Sequence, residues 1–228
     1  MKLDNFNKSF DTEKVLRLLG ARQGRRVPVA SLRRVDHMAE KIPAMLKPGL
    51  SYRILDLMDV DRGGILLSDG TRFKSPKLAK SMIHAEKVCC FVATVGPVVD
   101  FEVAHLMKKR RYADAYVLDA MGAMSAESVV DQFYQRLGRQ WREKKGGVTL
   151  RFSPGYCDWP IQEQRPLFNL FDNKSIPNVT LNDSCLMTPR KSVSGLFGLL
   201  PKGSLGIFPS YNPCLSCGKR DCIARRVH

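Results

Sequence analysis

The chain has no long uninterrupted apolar run. Its best one, Val88 to Val99, is broken by Thr94, Gly96 and Pro97, well short of the ~20 residues a spanning helix needs. Met1 to Phe10 has no apolar stretch between a basic start and a small-residue cleavage site, so neither a membrane span nor an export signal is expected and the reading is cytoplasmic. Cysteine is sparse and odd in number, seven in 228 residues. Cys89 and Cys90 sit inside a strand-like run, where they read as reduced small hydrophobes, and a secreted disulfide framework is excluded. Acidic residues are few, 22 against 37 Lys and Arg, a formal charge of +15, so a large partner is expected to be acidic. The basic clusters at Arg22 to Arg34, Lys108 to Arg111, Arg139 to Lys145 and Lys219 to Arg226 are accompanied by no helix-turn-helix, zinc-finger or RNA-recognition signature, which disfavours nucleic acid. There is no internal repeat, low-complexity tract or long heptad, and His37, His84, His105 and His228 share no metal-ligand spacing.

What is present is an ordinary globular balance, 44% hydrophobic and 26% charged. Helical spacing covers Thr12 to Leu19 and Pro28 to Leu46. Strands are expected at Tyr52 to Leu57 and Gly64 to Leu67. Ser75 can cap a helix with Pro76 in its first turn, running to about Glu86. Lys87 to Thr94 is apolar after its first residue, as a strand buried on both faces would be. Helices follow over Val98 to Arg110 and Tyr112 to about Lys145, where Gly146-Gly147 stops the second. Val148 to Phe152 reads as a strand, Gln162 to Phe171 as a helix, and Val193 to Leu200 and Leu205 to Phe208 as strands. The expected organisation is a helical lead-in over residues 1–47, an α+β domain over 48–210 and a Cys-rich tail over 211–228.

Chemistry is concentrated in three segments. In Arg151-Phe152-Ser153-Pro154-Gly155-Tyr156-Cys157-Asp158-Trp159-Pro160 a strand ends in a Pro-Gly turn that lets backbone amides approach a ligand, with a guanidinium and two aromatic rings around one bend. Asp119 to Glu127 puts small residues and two carboxylates on the longest helix. Ser184 to Gly195 is a hydroxyl-rich approach to a strand that includes Met187, Pro189, Ser192, Ser194 and Gly195.

In order and spacing these segments resemble the activation domain of cobalamin-dependent methionine synthase. In that family an Arg precedes Pro-Gly-Tyr and a later Pro, here Arg151, Pro154, Gly155, Tyr156 and Pro160. A Met and a Pro precede Ser-Val-Ser-Gly, here Met187, Pro189 and Ser192 to Gly195. Ala93-Thr94-Val95-Gly96 is similar to a turn in stand-alone relatives. The resemblance implies an α+β fold with a twisted antiparallel sheet flanked by helices. It implies binding of S-adenosylmethionine and reductive remethylation of an inactive cob(II)alamin carried by a partner corrinoid protein or cobalamin-dependent methyltransferase. Arg151 can clamp the cofactor carboxylate bidentately. Glu127 aligns with a cofactor-contacting Glu and can accept from the ammonium or the ribose, and Tyr156 can pack against the ligand. A tyrosine pair late in the family's domain is replaced by Gly203-Ser204-Leu205-Gly206, and the N-terminal aspartate that helps hold the amino group has no aligned counterpart.

The tail adds Cys214, Cys217 and Cys222. This spacing can supply three corners of a zinc site or an iron-sulfur cluster, with Cys185, Cys157 or His228 open as the fourth ligand. The charge suits an acidic corrinoid protein, or an acidic electron donor such as a flavodoxin or ferredoxin. Two readings compete with reactivation: a non-catalytic module that binds S-adenosylmethionine or a metal and regulates a partner, and a basic nucleic-acid-binding protein.

Overall fold

The computed structural model describes residues 6, 12–20, 27–171, 178–208 and 211–218. The chain is α+β. Seven strands and six α-helices are formed among the described residues: α1 Thr12–Leu18, α2 Val29–Met45, β1 Gly49–Val60, β2 Gly64–Leu67, β3 Arg72–Lys74, α3 Pro76–Met82, β4 Lys87–Thr94, α4 Val98–Lys108, α5 Tyr112–Glu143, α6 Gln164–Asn169, β5 Thr180–Leu181, β6 Met187–Thr188 and β7 Ser192–Leu199. Five of the strands form one sheet in the order β3-β2-β1-β4-β7, and β5 pairs β6 apart from it. β2 runs antiparallel to both β1 and β3, and the β1 register slips between Leu57 and Asp59.

Contacts divide the chain into two compact units, each drawn from three stretches of sequence. The first comprises residues 1–51, 92–133 and 174–193. Its core is built from Val15 of α1, Val35, Met38 and Ile42 of α2, Val99 and Leu106 of α4, and Leu118, Met121 and Val129 of α5, all buried. Spacings of three and four on α2, seven on α4, and three and eight on α5 put these side chains on one face of each helix. The second unit comprises residues 52–91, 134–173 and 194–228. Here Ile65, Leu67 and Phe73 of β2 and β3, Leu78 and Met82 of α3, and Trp159 and Phe197 are buried. Phe73 meets Trp159 edge-on at 5.3 Å, a favoured aromatic geometry.

Two expected strands take other forms. Val148 to Phe152 meets β7 at isolated bridges, Val148 to Leu199 and Phe152 to Leu196, and Thr149 N–H donates to Gly198 O at 3.0 Å. Between them the Gly198 N–H donates to the Thr149 hydroxyl at 2.9 Å, so a side chain takes the place of a ladder carbonyl. Leu205 to Phe208 is a run of turns, with Ser204 N–H donating to Pro201 O and Ile207 N–H to Ser204 O around left-handed Gly203 and Gly206. The Ser75 helix stops at Met82, four residues early, and Ala85 N–H then donates to Met82 O. The described helices include none long and apolar enough to cross a membrane.

Candidate functional site

Six of the eight expected ligand residues, Arg151, Pro154, Gly155, Tyr156, Ser194 and Gly195, belong to the second unit. Phe152 and Leu196 exchange both backbone hydrogen bonds, at 2.8 and 2.9 Å, which lays the Arg151 segment along the start of β7. At Gly195 a Cβ would stand 2.3 Å from Phe152 O and 2.9 Å from Ser153 Oγ. Only glycine permits that approach. Next to it, the Ser194 hydroxyl is buried and has no hydrogen-bond partner among the described residues.

The chain then bends. Gly155 is left-handed at φ +89° and donates to Trp159 O at 2.8 Å, while Tyr156 N–H donates to Ser153 O at 3.2 Å. Pro154 is buried, and Tyr156 stands out at 50% exposure beside the turn. The far side of the bend is fixed by Asp158. Ser75 Oγ donates to one carboxylate oxygen and Lys77 N–H donates to the other at 3.0 Å. The same Ser75 hydroxyl caps α3 by accepting Leu78 N–H at 3.0 Å.

Arg151 is held over an aromatic platform not anticipated from sequence. Its guanidinium carbon lies 5.6 Å from the Tyr134 ring centroid, a cation–π distance. Tyr134 is itself pinned by donating its hydroxyl to Thr149 O at 2.8 Å and meeting Phe197 edge-on at 5.0 Å. Tyr134 falls seven residues after Glu127 on α5, two helical turns on, which is the spacing that could have revealed it.

The other two expected residues belong to the first unit. Glu127 is exposed on α5. The Ser192 hydroxyl lies 2.7 Å from Pro189 O and 2.9 Å from Thr94 Oγ1, so it serves the local turn. The adjacent Lys191 is buried and bonds Asp119 Oδ1 at 2.6 Å.

Of the tail cysteines, Cys214 and Cys217 are described and Cys222 lies outside the described residues. Cys214 N–H donates to Asn212 Oδ1 at 2.9 Å and Cys217 N–H to Cys214 O at 3.4 Å. Among the described residues no three His, Cys, Asp or Glu side chains already form a metal-holding group. The Lys108 to Arg111 cluster and the basic residues between Arg139 and Lys145 are exposed. The Arg22 to Arg26 and Lys219 to Arg226 basic residues lie outside the described residues.

These second-unit groups fit the polar end of S-adenosylmethionine: a positioned guanidinium for a carboxylate, an orphaned buried hydroxyl, and a Pro-Gly turn with an exposed ring. No curated protein matches the chain. A solved structure described as the MetH reactivation domain bound to AdoHcy shares the fold, with a TM-score of 0.59, 18% sequence identity, 86% of this chain covered and 70% of that one. The family described as "Vitamin B12 dependent methionine synthase, activation domain" matches over residues 79–204, more than half of the sequence, and the chain therefore belongs to that family.

Proposed function

We propose that this protein binds S-adenosylmethionine and uses it to remethylate the oxidised cobalamin of a separate corrinoid protein or cobalamin-dependent methyltransferase. One electron from an external donor reduces cob(II)alamin, and the methyl group leaves the sulfonium for cobalt, releasing S-adenosylhomocysteine. Within this chain the task is to bind and orient. Arg151, steadied on Tyr134, clamps the carboxylate. Pro154, Gly155 and Tyr156 form the floor and one wall, and Ser194, beside Gly195, offers its hydroxyl. Glu127 accepts from the ammonium or ribose, and Ser192 shapes the turn leading into β7. No residue need move a proton, because methyl transfer requires proximity and in-line alignment above all. The observation that carries the reading is the Arg151 to Tyr156 bend, laid against β7 in a chain of this family.

Cys214, Cys217 and Cys222 are read as ligands of a metal centre in the tail. With +15 net charge, the partner and the electron donor are expected to present acidic surfaces, as a flavodoxin or ferredoxin would. The test mixes the protein anaerobically with a cob(II)alamin-loaded corrinoid protein, a reductant and S-adenosylmethionine. The expected result is the methylcobalamin spectrum, dependent on all components. Tight S-adenosylmethionine binding with no spectral change would instead make the chain a regulatory module. Salt-dependent binding of random DNA or RNA that ignores S-adenosylmethionine would favour nucleic acid.

A further inference from the structure

The outer face of α4 departs from the polar face that a surface helix ordinarily turns to water. Val99 and Leu106 carry its buried side, while Phe101, Ala104 and Lys108, three and four apart, share the opposite face and are all exposed, Phe101 at 69%. Met107 flanks them, also exposed. The helix then stops on cations. Lys109 N–H donates to His105 O, Arg110 N–H to Met107 O and Arg111 N–H to Leu106 O. That turn holds Arg110 at φ +58°, the left-handed position a glycine ordinarily takes at a helix end. Helix polarity favours cations there, but Lys108 and Lys109 already serve it without a side chain in that conformation. α5 begins at once, with Tyr112 and Tyr116 one turn apart and both exposed. Asp114 pins the corner from within, accepting from Arg111 Nε at 2.8 Å and from Arg34 Nε of α2 at 3.1 Å. Its carboxylate is thereby taken, and Lys108, Lys109 and Arg110 make no ion pair among the described residues. All of these residues belong to the first unit.

We propose that this α4–α5 corner is a docking surface for the acidic face of a protein partner, with Phe101, Tyr112 and Tyr116 as anchors and Lys108, Lys109 and Arg110 as a cationic rim. Aromatic side chains carry much of the contact area and energy at the centre of protein interfaces. Charges around them steer the encounter and select the sign of the partner. With a net charge of +15, the chain repels partners of its own sign, and two copies meeting here would set cations against cations. Nucleic acid suits the corner less well, because its interfaces are polar and highly charged at their centre and this one is aromatic there. The identity of the partner as the corrinoid protein rests on the reactivation reading; the place where it binds rests on the corner alone.

A fluorophore-labelled acidic corrinoid protein loaded with cob(II)alamin is titrated with the full chain as wild type, Lys108→Gln/Lys109→Gln, Phe101→Ala and Arg110→Gly. Arg139→Gln/Arg142→Gln is the control, removing the same charge from another exposed cluster. The Lys108/Lys109 variant should raise Kd about tenfold at low salt, with the gap closing as salt rises. Phe101→Ala should raise it about fivefold or more at every salt concentration. Arg110→Gly separates docking from folding, because glycine suits the left-handed turn while a rim cation is lost. Its affinity should fall in the same salt-dependent way with the melting temperature unchanged or raised. The control should lose less than about twofold. Corner variants that bind as wild type does, an equal loss in the control, or a wild-type chain that does not bind the corrinoid protein each overturn the corner. Random single-stranded DNA that displaces the corrinoid protein and loses affinity in the same variants assigns the surface to nucleic acid and overturns it as well. Methylcobalamin formed in the same mixtures, with reductant, S-adenosylmethionine and saturating corrinoid protein, judges the reactivation reading separately. Its absence from a wild type that docks sinks that reading and leaves the docking surface standing, and its formation without any loss in the corner variants does the reverse.

Discussion

Gly195 and Phe152 approach so closely that a Cβ on the glycine would meet the Phe152 carbonyl oxygen at 2.3 Å and the Phe91 ring at 3.0 Å. Neither neighbour is the free end of a flexible side chain. The Arg151 segment lies against β7 because position 195 has no side chain. Gly195→Ala must push the two backbones apart, at a cost of about 1–3 kcal/mol as for overpacking elsewhere. Urea unfolding should show that loss, and S-adenosylmethionine affinity should fall with it. Unchanged stability would mean the two backbones are not in contact in solution.

Ser75 supports two structures with one hydroxyl, capping α3 while bonding the Asp158 carboxylate. Because the side chain is fully buried, Ser75→Ala leaves Leu78 N–H without its cap and should cost about 1–2 kcal/mol. Asp158→Ala removes the anchor of the bend but spares the cap. It is expected to weaken S-adenosylmethionine binding more than it lowers stability. Equal effects of the two substitutions on affinity and on unfolding would show that the bend does not depend on Asp158.

Much of this architecture was legible in the sequence where one physical demand dominates. The run from Lys87 to Thr94 forms β4 over those residues, because near-continuous apolar character suits a strand with sheet neighbours on both sides. Ser75-Pro76 marks a helix start by side-chain capping alone, and the Pro154-Gly155 turn is likewise written in residue type. Where side chains compete with the backbone, local reading fails. The Thr149 hydroxyl interrupts the expected strand at Val148 to Phe152, and β3 is only three residues with two exposed charges around Phe73. Tyr134 gains its meaning only from residues distant in sequence, Arg151 and Phe197.

Lys191 is nearly fully buried, with 7% of its side chain exposed, while its partner Asp119 keeps 38% exposed. The two losses should therefore be unequal. Asp119→Ala strands an ammonium away from water, which costs about 3 kcal/mol when a buried pair is broken. Lys191→Met returns a carboxylate to partial solvation while an apolar stem still packs beneath Gly122, and should cost about 1 kcal/mol or less. Chemical denaturation of both variants checks the order, and a larger loss in Lys191→Met contradicts it.

The β4 thiols impose a pH dependence. Burial, with the neighbouring Cys90 adding to it, raises Cys89 well above its ordinary value of 9.0, and burial together with Asp69 likewise raises Cys90. The native state thus keeps protons that the unfolded chain releases from about pH 9 upward. Stability from these groups is fully present below pH 9 and is lost as pH rises. Each thiol contributes a slope of up to about 1.4 kcal/mol per pH unit. The double variant Cys89→Ala/Cys90→Ala should be less stable at pH 7 yet lose stability less steeply between pH 9 and 11. Parallel slopes for the two proteins would show that these thiols titrate normally in the folded chain.

Arg151 allows the sharpest test of the ligand site, because its two candidate roles respond differently to Lys. As a cation–π partner of Tyr134 it could be replaced by an ammonium with modest loss, since both cations are attracted to the ring face. As a carboxylate clamp it could not, because only the planar guanidinium donates two parallel hydrogen bonds from one rigid fork. Arg151→Lys should therefore leave unfolding within about 1 kcal/mol of wild type. It should also weaken S-adenosylmethionine binding by roughly 1.5–3 kcal/mol, the range for hydrogen bonds to a charged group. Calorimetric titration with S-adenosylmethionine and with its decarboxylated analogue completes the argument. The variant should bind the analogue as wild type does, since the fork has no carboxylate to hold. Equal losses for both ligands would assign Arg151 to shaping the site through Tyr134, and unchanged affinity for S-adenosylmethionine would remove it from the site.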